Sequence, residues 1–300
     1  MKRILAALLL VAALLGGDNE AFAAKGKEKL RTFDAGSDLF TMYVDIRYGN
    51  RPEGVAKSDT ASDRLLDLYI PTTKAPKGGY PVFFFVHGGG FAGGNKSNAK
   101  LGYDRVCKSM AERGYAVVSI NYYLTMKYKK VTGVSCGSEM KHGLPKTGLF
   151  HPLVHQAVRN ASSDATLALE WVKKNAKRFH LNTDLLTVCG GSAGSMTVLH
   201  LAYFSGQQVL PIHSVVNLWG GVDAPAKIAA PAPPMLIYHG DQDELIHVDY
   251  AYAFEKRLQE IGVPVEMHIL VGKGHAQYVH IATKRCDEID AFIKRMTNQN

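Results

Sequence analysis

Cysteine is scarce, 4 in 300 residues, and the positions 107, 136, 189 and 286 are too widely and irregularly spaced for a metal-binding pattern. The apolar run from Ile4 to Leu15 is too short to span a membrane, and no cysteine follows it closely enough for a lipid anchor. No internal repeat is visible. No basic, aromatic-interleaved motif recurs, so a nucleic-acid partner finds no support. The glycine-rich stretch "GGGFAGGNKSN" lacks the Lys-Ser/Thr spacing of a phosphate loop. These absences leave a globular chain whose chemistry must come from its own side chains.

The N-terminus pairs Lys2 and Arg3 with the apolar run and then Ala21-Phe22-Ala23, the pattern of a secretory signal with an A-x-A cleavage site. The expected mature chain begins near Ala24, in a periplasm or outside the cell. Removing residues 1–23 deletes Lys2 and Arg3 but also Asp18 and Glu20, so the net charge of +8 is kept. That charge reads as a soluble basic surface or as a preference for anionic substrates. In an oxidising compartment a bridge can persist, and Cys107 with Cys136 is the expected pair. Cys189 reads as a small buried strand residue. With 46% hydrophobic residues the chain can fill a large core, and one domain is expected over 24–300.

Residues 25–38 are polar and expected to be irregular. Strands are predicted at 39–49 and 64–71, and this hairpin is the place for any antiparallel pairing. "YPVFFFV" (80–86) and "YAVVSINYY" (115–123) are apolar without alternation, the mark of strands covered on both faces. Further strands are expected at 185–189, 212–221 and 235–240, and a last one within "VEMHILVGKGHA" (265–276). Helices are expected at 100–113, 161–179, 196–204, 248–261 and 278–296. Alternating strands and helices predict an α/β class with a mostly parallel central sheet of about eight strands and helices on both faces. A Lys-rich insertion at about 125–155 interrupts the alternation.

In such a sheet ligands bind beyond the carboxyl ends of the strands, where four unusual turns collect. "GGSAG" (190–194) joins a strand to a helix and holds one hydroxyl, Ser192, with Ser195 a turn further on. "HGGGF" (87–91) follows the strand at 80–86, and its glycines let backbone N–H groups approach a ligand. "HGDQDELIH" (239–247) offers Asp241, Asp243, Glu244 and Asp249 just beyond; Asp243 lies a turn past the strand, whereas Asp241 more naturally stabilises that turn. "GKGHAQ" supplies His275, with His268 and His280 as competitors. The pattern calls for a serine nucleophile, Ser192, a base, His275, an orienting carboxylate, Asp243, and an oxyanion hole of the amides of Gly89, Gly90 and Ala193. His87, Phe91, Tyr122 and Tyr123 flank these turns and are expected to touch substrate.

The order Ser192, Asp243, His275 with "HGGGF" upstream resembles the α/β-hydrolase superfamily. Within it, "FVHGGGFAGGNKS", "ASSDATLALEWVKKNA" and "PPMLIYHGDQDELI" are similar to bacterial carboxylesterases of the hormone-sensitive-lipase-like and feruloyl/acetyl-esterase-like (BD-FAE-like) groups. The resemblance spans about residues 62–297. It departs at Asn121-Tyr122-Tyr123, where such esterases often carry Tyr-Arg, at the missing long cap between 221 and 234, and at the insertion. It implies a secreted carboxylesterase using neither metal nor organic cofactor, acting on a small-molecule or polymer-borne ester, without stable membrane insertion. A peptidase or polyamide hydrolase on the same fold and a non-catalytic binding protein are the alternatives. The insertion is expected over the rim that holds Ser192, either as a lid drawing anionic substrates or as a solvated loop.

Overall fold

Five consecutive residues with no exposed surface, Val82 to Val86, mark the middle of the sheet. They belong to β4 (Tyr80–Val86), and the computed structural model, which describes residues 30–297, builds the rest of the sheet around it. The expected signal segment at 1–23 and the mature start near Ala24 lie outside the described residues. The strands are β1 (Arg31–Phe33), β2 (Phe40–Arg47), β3 (Leu65–Pro71), β4, β5 (Ala116–Ile120), β6 (Leu181–Gly191), β7 (Ser214–Leu218), β8 (Met235–Gly240) and β9 (Val265–Leu270). They form one nine-stranded sheet in the order β1-β2-β3-β5-β4-β6-β7-β8-β9. The expected count of about eight omits β1, a three-residue, fully exposed strand inside the polar stretch at 25–38.

β3 runs antiparallel to both β2 and β5, and every pairing from β5 to β9 is parallel. The carboxyl ends of the parallel strands therefore share one rim. Helices α1 (Tyr103–Glu112), α2 (Thr125–Tyr128), α3 (Cys136–Met140), α4 (Pro152–Phe179), α5 (Ala193–Tyr203), α6 (Asp249–Glu260), α7 (Tyr278–Lys284) and α8 (Cys286–Thr297) complete the described chain. Phe83 and Phe85 share one hydrophobic cluster with α1 (Val106, Met110), α7 (Ile281) and α8 (Ile289, Phe292). The pleat sends Val82, Phe84 and Val86 to the opposite face.

Three sequence expectations change. The helix placed at 161–179 starts at Pro152, so the last residues assigned to the insertion are its first turn. Pro152 suits that position, and His151 caps the turn by accepting the Leu153 N–H at 3.1 Å. The final helix is two: Arg285 breaks it at φ −127°, with neither glycine nor proline to signal the break. The Cys107–Cys136 pair is absent, because all four cysteines are free and buried. Cys107 lies in the core cluster with Cys189 and Cys286, whereas Cys136 begins α3 inside the insertion.

Buried polar ties connect this frame to the rim. Asp164 of α4, only 1% exposed, takes Arg64 Nε at 2.8 Å and the Tyr123 N–H at 2.8 Å. Removing that carboxylate leaves Arg64 Nε and the part-buried Tyr123 amide without their acceptor. Asp164→Ala is therefore expected to cost about 3 kcal/mol in urea unfolding. Lys173→Ala, on the exposed side of the same helix, should stay within about 0.5 kcal/mol of the parent. Equal losses for the two would show that Asp164 ties nothing.

Candidate active site

The join between β6 and α5 is crowded from every side. A Cβ on Gly190 would run into the Gly194 backbone, one on Gly194 into the Val86 carbonyl, and one on Gly191 into the Tyr278 hydroxyl. None of these glycines has positive φ; the residue in the unusual backbone region is Ser192 itself, at φ 57° and ψ −125°. For a residue with a Cβ that geometry costs about 1–3 kcal/mol. It is held by the Ser192 N–H donating to Leu218 O at 3.0 Å and by the first turn of α5, where Met196 N–H reaches Ser192 O at 2.9 Å. The hydroxyl is thereby lifted off the end of β6.

His275 meets it from the loop after β9. Its Nε2 lies 2.9 Å from Ser192 Oγ, and its Nδ1 lies 2.7 Å from Asp243 Oδ2. An ionised carboxylate only accepts, so Nδ1 carries the hydrogen and the Nε2 lone pair faces the serine. Asp243 follows β8 in a tight turn: its Oδ1 accepts the N–H groups of Leu245 and Ile246, each at 2.9 Å. Burial works against its charge, but the nearby His239 ring N–H, the hydrogen bond from His275 and the Ile246 N–H outweigh it and hold the carboxyl well below the usual carboxylate range.

The competing residues have other partners. Asp241 Oδ1 accepts the Gly272 N–H at 2.7 Å and joins the loops after β8 and β9. Asp249 pairs with His247 at 3.2 Å, and Glu244 is exposed. His268 stacks on Tyr238 in mid-strand at 5.0 Å, and His280 takes a hydrogen bond from Arg285. Ser195 is fully buried and donates to Asn217 Oδ1 at 2.6 Å.

The "HGGGF" loop turns sharply, with φ of 117° at Gly89, 61° at Gly90 and 58° at Phe91. Gly89 O accepts the N–H groups of Ala92 and Gly93 at 3.1 and 3.0 Å. Among the described residues the amides of Gly89 and Gly90 donate to no protein acceptor. Ala193 opens α5, where helix amides lack an intrahelical acceptor. His87, Phe91 and Tyr122 were expected to touch substrate, but all three are completely buried and frame the loop instead. Tyr122 donates to His87 O at 2.9 Å and stacks on the His87 ring at 4.5 Å. Tyr123 keeps some surface and stacks on Tyr128 at 5.4 Å.

Three supporting residues are absent from the sequence expectations. His239, fully buried, donates from Nε2 to Ile246 O at 2.7 Å and sits 3.5 Å from Asp243 Oδ2. It thereby steadies the residue whose amide grips the carboxylate. Its signal is present in "HGDQDE", four residues before Asp243. Tyr278 fills the space beneath Gly88 and Gly191, and Trp219 packs edge-on against Tyr278 at 4.9 Å and against His275 at 6.4 Å. Nothing local in the sequence marks either aromatic. Among the described residues no group of three or more His, Cys, Asp or Glu side chains is placed to hold a metal, and no helix is long and apolar enough to cross a membrane.

The BD-FAE family model matches residues 66–134, and the prolyl oligopeptidase family model matches residues 219–300. Fumonisin B1 esterase of Sphingopyxis macrogoltabida is 30% identical over 154 residues, 48% of this chain and 23% of that protein. The chain spans about a quarter of the length of the first curated relatives it matches. A truncated carbohydrate esterase from gut microbiota superposes with a TM-score of 0.61 at 15% identity, covering 87% of this chain and 98% of that one. A Thermogutta terrifontis esterase solved with propionate bound gives 0.59 at 15% identity, covering 84% and 96%. These likenesses establish the fold.

The His87 ring makes the loop sensitive to acid. Burial, against a hydrogen bond to Gly88 O that favours the charged form, lowers its pKa to about 4 from the ordinary value of 6.5. The unfolded chain thus binds a proton that the folded chain refuses between those values. The neutral-ring contribution is fully present above pH 6.5 and is lost as pH falls toward 4. The window corresponds to about 3 kcal/mol. Urea midpoints from pH 7.5 to 4.5 should fall steeply for the parent and distinctly less for His87→Gln; parallel curves would mean His87 titrates normally.

Proposed function

We propose that this chain, which belongs to the α/β-hydrolase superfamily, is a serine carboxylesterase with Ser192, His275 and Asp243 as its catalytic triad. The observation that carries the reading is the unbroken relay of 2.9 and 2.7 Å from a serine at a strained strand-to-helix turn to a buried carboxylate. As Ser192 Oγ attacks an ester carbonyl, His275 Nε2 takes its proton. Asp243 holds the imidazole in the Nδ1–H tautomer and stabilises the imidazolium. The developing oxyanion is received by the amides of Gly89, Gly90 and Ala193. The imidazolium then returns its proton to the leaving alcohol. Water, deprotonated by the same histidine, attacks the acyl-enzyme, and the imidazolium gives that proton to the departing Ser192 Oγ as the acid is released. Every proton in this cycle moves through His275, so the route needs neither metal nor organic cofactor.

Amide hydrolysis is the second reading. It is favoured by the prolyl oligopeptidase match, which covers the stretch holding both Asp243 and His275. An amine leaves less readily than an alkoxide, and the relay serves either. Export with cleavage after Ala23 is proposed on the basic start, apolar run and A-x-A sequence alone.

Ser192→Ala should fold normally and lose about 10³-fold or more in turnover of p-nitrophenyl acetate and butyrate, and it should resist a fluorophosphonate probe that labels the parent. Undiminished labelling would move the nucleophile elsewhere. An aminoacyl-p-nitroanilide cleaved faster than the esters would favour the second reading. Asp243→Asn should lose kcat by about 10²–10⁴-fold, whereas Asp241→Asn should leave kcat nearly intact and lower stability modestly. The reverse order would assign the orienting role to Asp241.

A further inference from the structure

The insertion leaves its charge largely unanswered. It joins both halves of the candidate site: Met126 N–H donates to Phe91 O at 2.9 Å in the "HGGGF" loop. On the other side Met140 O accepts the His247 N–H at 3.1 Å, and Gly143 O accepts the Tyr250 hydroxyl at 3.1 Å, both beyond Asp243. Its outer surface thus borders the Ser192 rim.

Five lysines and one glutamate lie between residues 125 and 151. Lys127 is neutralised by Asp59 at 2.7 Å, and the Glu139 carboxylate accepts the His151 N–H at 2.6 Å. Lys129 reaches only the neutral Gln156, at 3.3 Å. Among the described residues no carboxylate pairs with Lys129, Lys130, Lys141 or Lys146, and all four are exposed. The facing loop adds two exposed acids, Glu244 and Asp249, the latter 3.2 Å from the His247 ring, against the four unpaired lysines. The balance stays positive.

The same segment exposes apolar surface. Of the eleven large hydrophobic side chains exposed in the described chain, Tyr128, Val131, Leu144 and Leu149 fall in this insertion, and Leu245 stands beside it. Leu149 is 56% and Val131 47% exposed. Leu245 contacts the insertion at Gly137 and lies two residues beyond Asp243. A concentration of apolar groups among unpaired cations matches a molecule with an apolar body and a negative end.

We propose that this face docks ester substrates whose non-reacting part is an apolar chain ending in a carboxylate, delivering the ester carbonyl to Ser192. The proposal rests on the serine-hydrolase reading. Ammonium groups at a rim raise the local concentration of an anion, and salt removes that advantage. Raising ionic strength from about 0.01 M to about 1 M shortens the screening length from about 30 Å to about 3 Å.

The test uses mono-p-nitrophenyl suberate, which keeps a free carboxylate, beside its neutral methyl ester. Release of p-nitrophenol gives kcat/KM for each on the full chain. The anionic ester should be preferred at low salt, and its kcat/KM should fall by roughly 10-fold over that range while the neutral ester changes little. Combining Lys129→Gln, Lys130→Gln, Lys141→Gln and Lys146→Gln should bring the anionic-to-neutral ratio at low salt close to its high-salt value. Lys173→Gln with Lys174→Gln, on the exposed side of α4, should leave the ratio as it is. Equal salt responses for the two esters, or an undiminished ratio in the fourfold variant, would overturn the docking face while leaving the serine hydrolase standing. Absence of Ser192-dependent turnover of both esters in the parent protein would overturn both.

Discussion

The contact on which this site depends is a meeting of bare backbones. The Gly194 Cα sits so close to the Val86 carbonyl that no side chain fits between them, and the Gly190 Cα meets the Gly194 backbone just as tightly. That approach brings the start of α5 against the end of β4. It sets Ser192 and the Ala193 amide beside the loop that carries Gly89 and Gly90. The strain at Ser192 follows, because a chain passing directly from β6 into α5 at this distance must turn within one residue. The energy to hold it comes from the buried strands on either side, whose middle residues expose nothing.

Around that contact, polar groups are divided by reach. Asp241 and Asp243 are two residues apart and chemically identical, yet one laces two loops together and the other faces an imidazole. The difference lies in the turn after β8, which directs the Leu245 and Ile246 amides at one Asp243 oxygen and leaves the other for His275. His239 closes the same turn from below. A carboxylate with two fixed donors and one imidazole has few lone pairs left, so its position is defined to within a hydrogen-bond length. Tyr278 and Trp219 do for His275 and the elbow what the amides do for Asp243: they remove alternatives by filling space.

Much of this is legible in the amino-acid sequence. Continuous apolar runs such as 80–86 have one stable environment, a strand covered on both faces, and each is followed by a turn rich in glycine, aspartate or histidine. The rim therefore reads directly from the alternation of runs and turns. Burial at the rim does not. His87, Phe91 and Tyr122 flank the candidate turns in sequence, and that proximity suggests substrate contact, whereas all three are fully buried: Phe91 lies in a loop turned sharply at 89–91, and Tyr122, beyond β5, stacks on the His87 ring. The start of α4 is hidden because its first turn, "PLVHQAV", follows a loop without composition contrast. The break at Arg285 is hidden because no glycine or proline marks it.

By itself the sequence determined the α/β alternation, the parallel core, the rim and the short set of residues able to act there, since hydrophobic period and turn chemistry are local properties. It also determined the surplus of lysine in the insertion. Only the tertiary structure decided which aspartate faces His275, which aromatics are walls and which lysines have found an acid. Those outcomes depend on distances between segments far apart in the chain. Asp59 and Lys127 are separated by 68 positions, and Asp243 and His275 by 32. Such pairs form only where the packing of the sheet and its helices brings two loops together, and no local pattern encodes that approach.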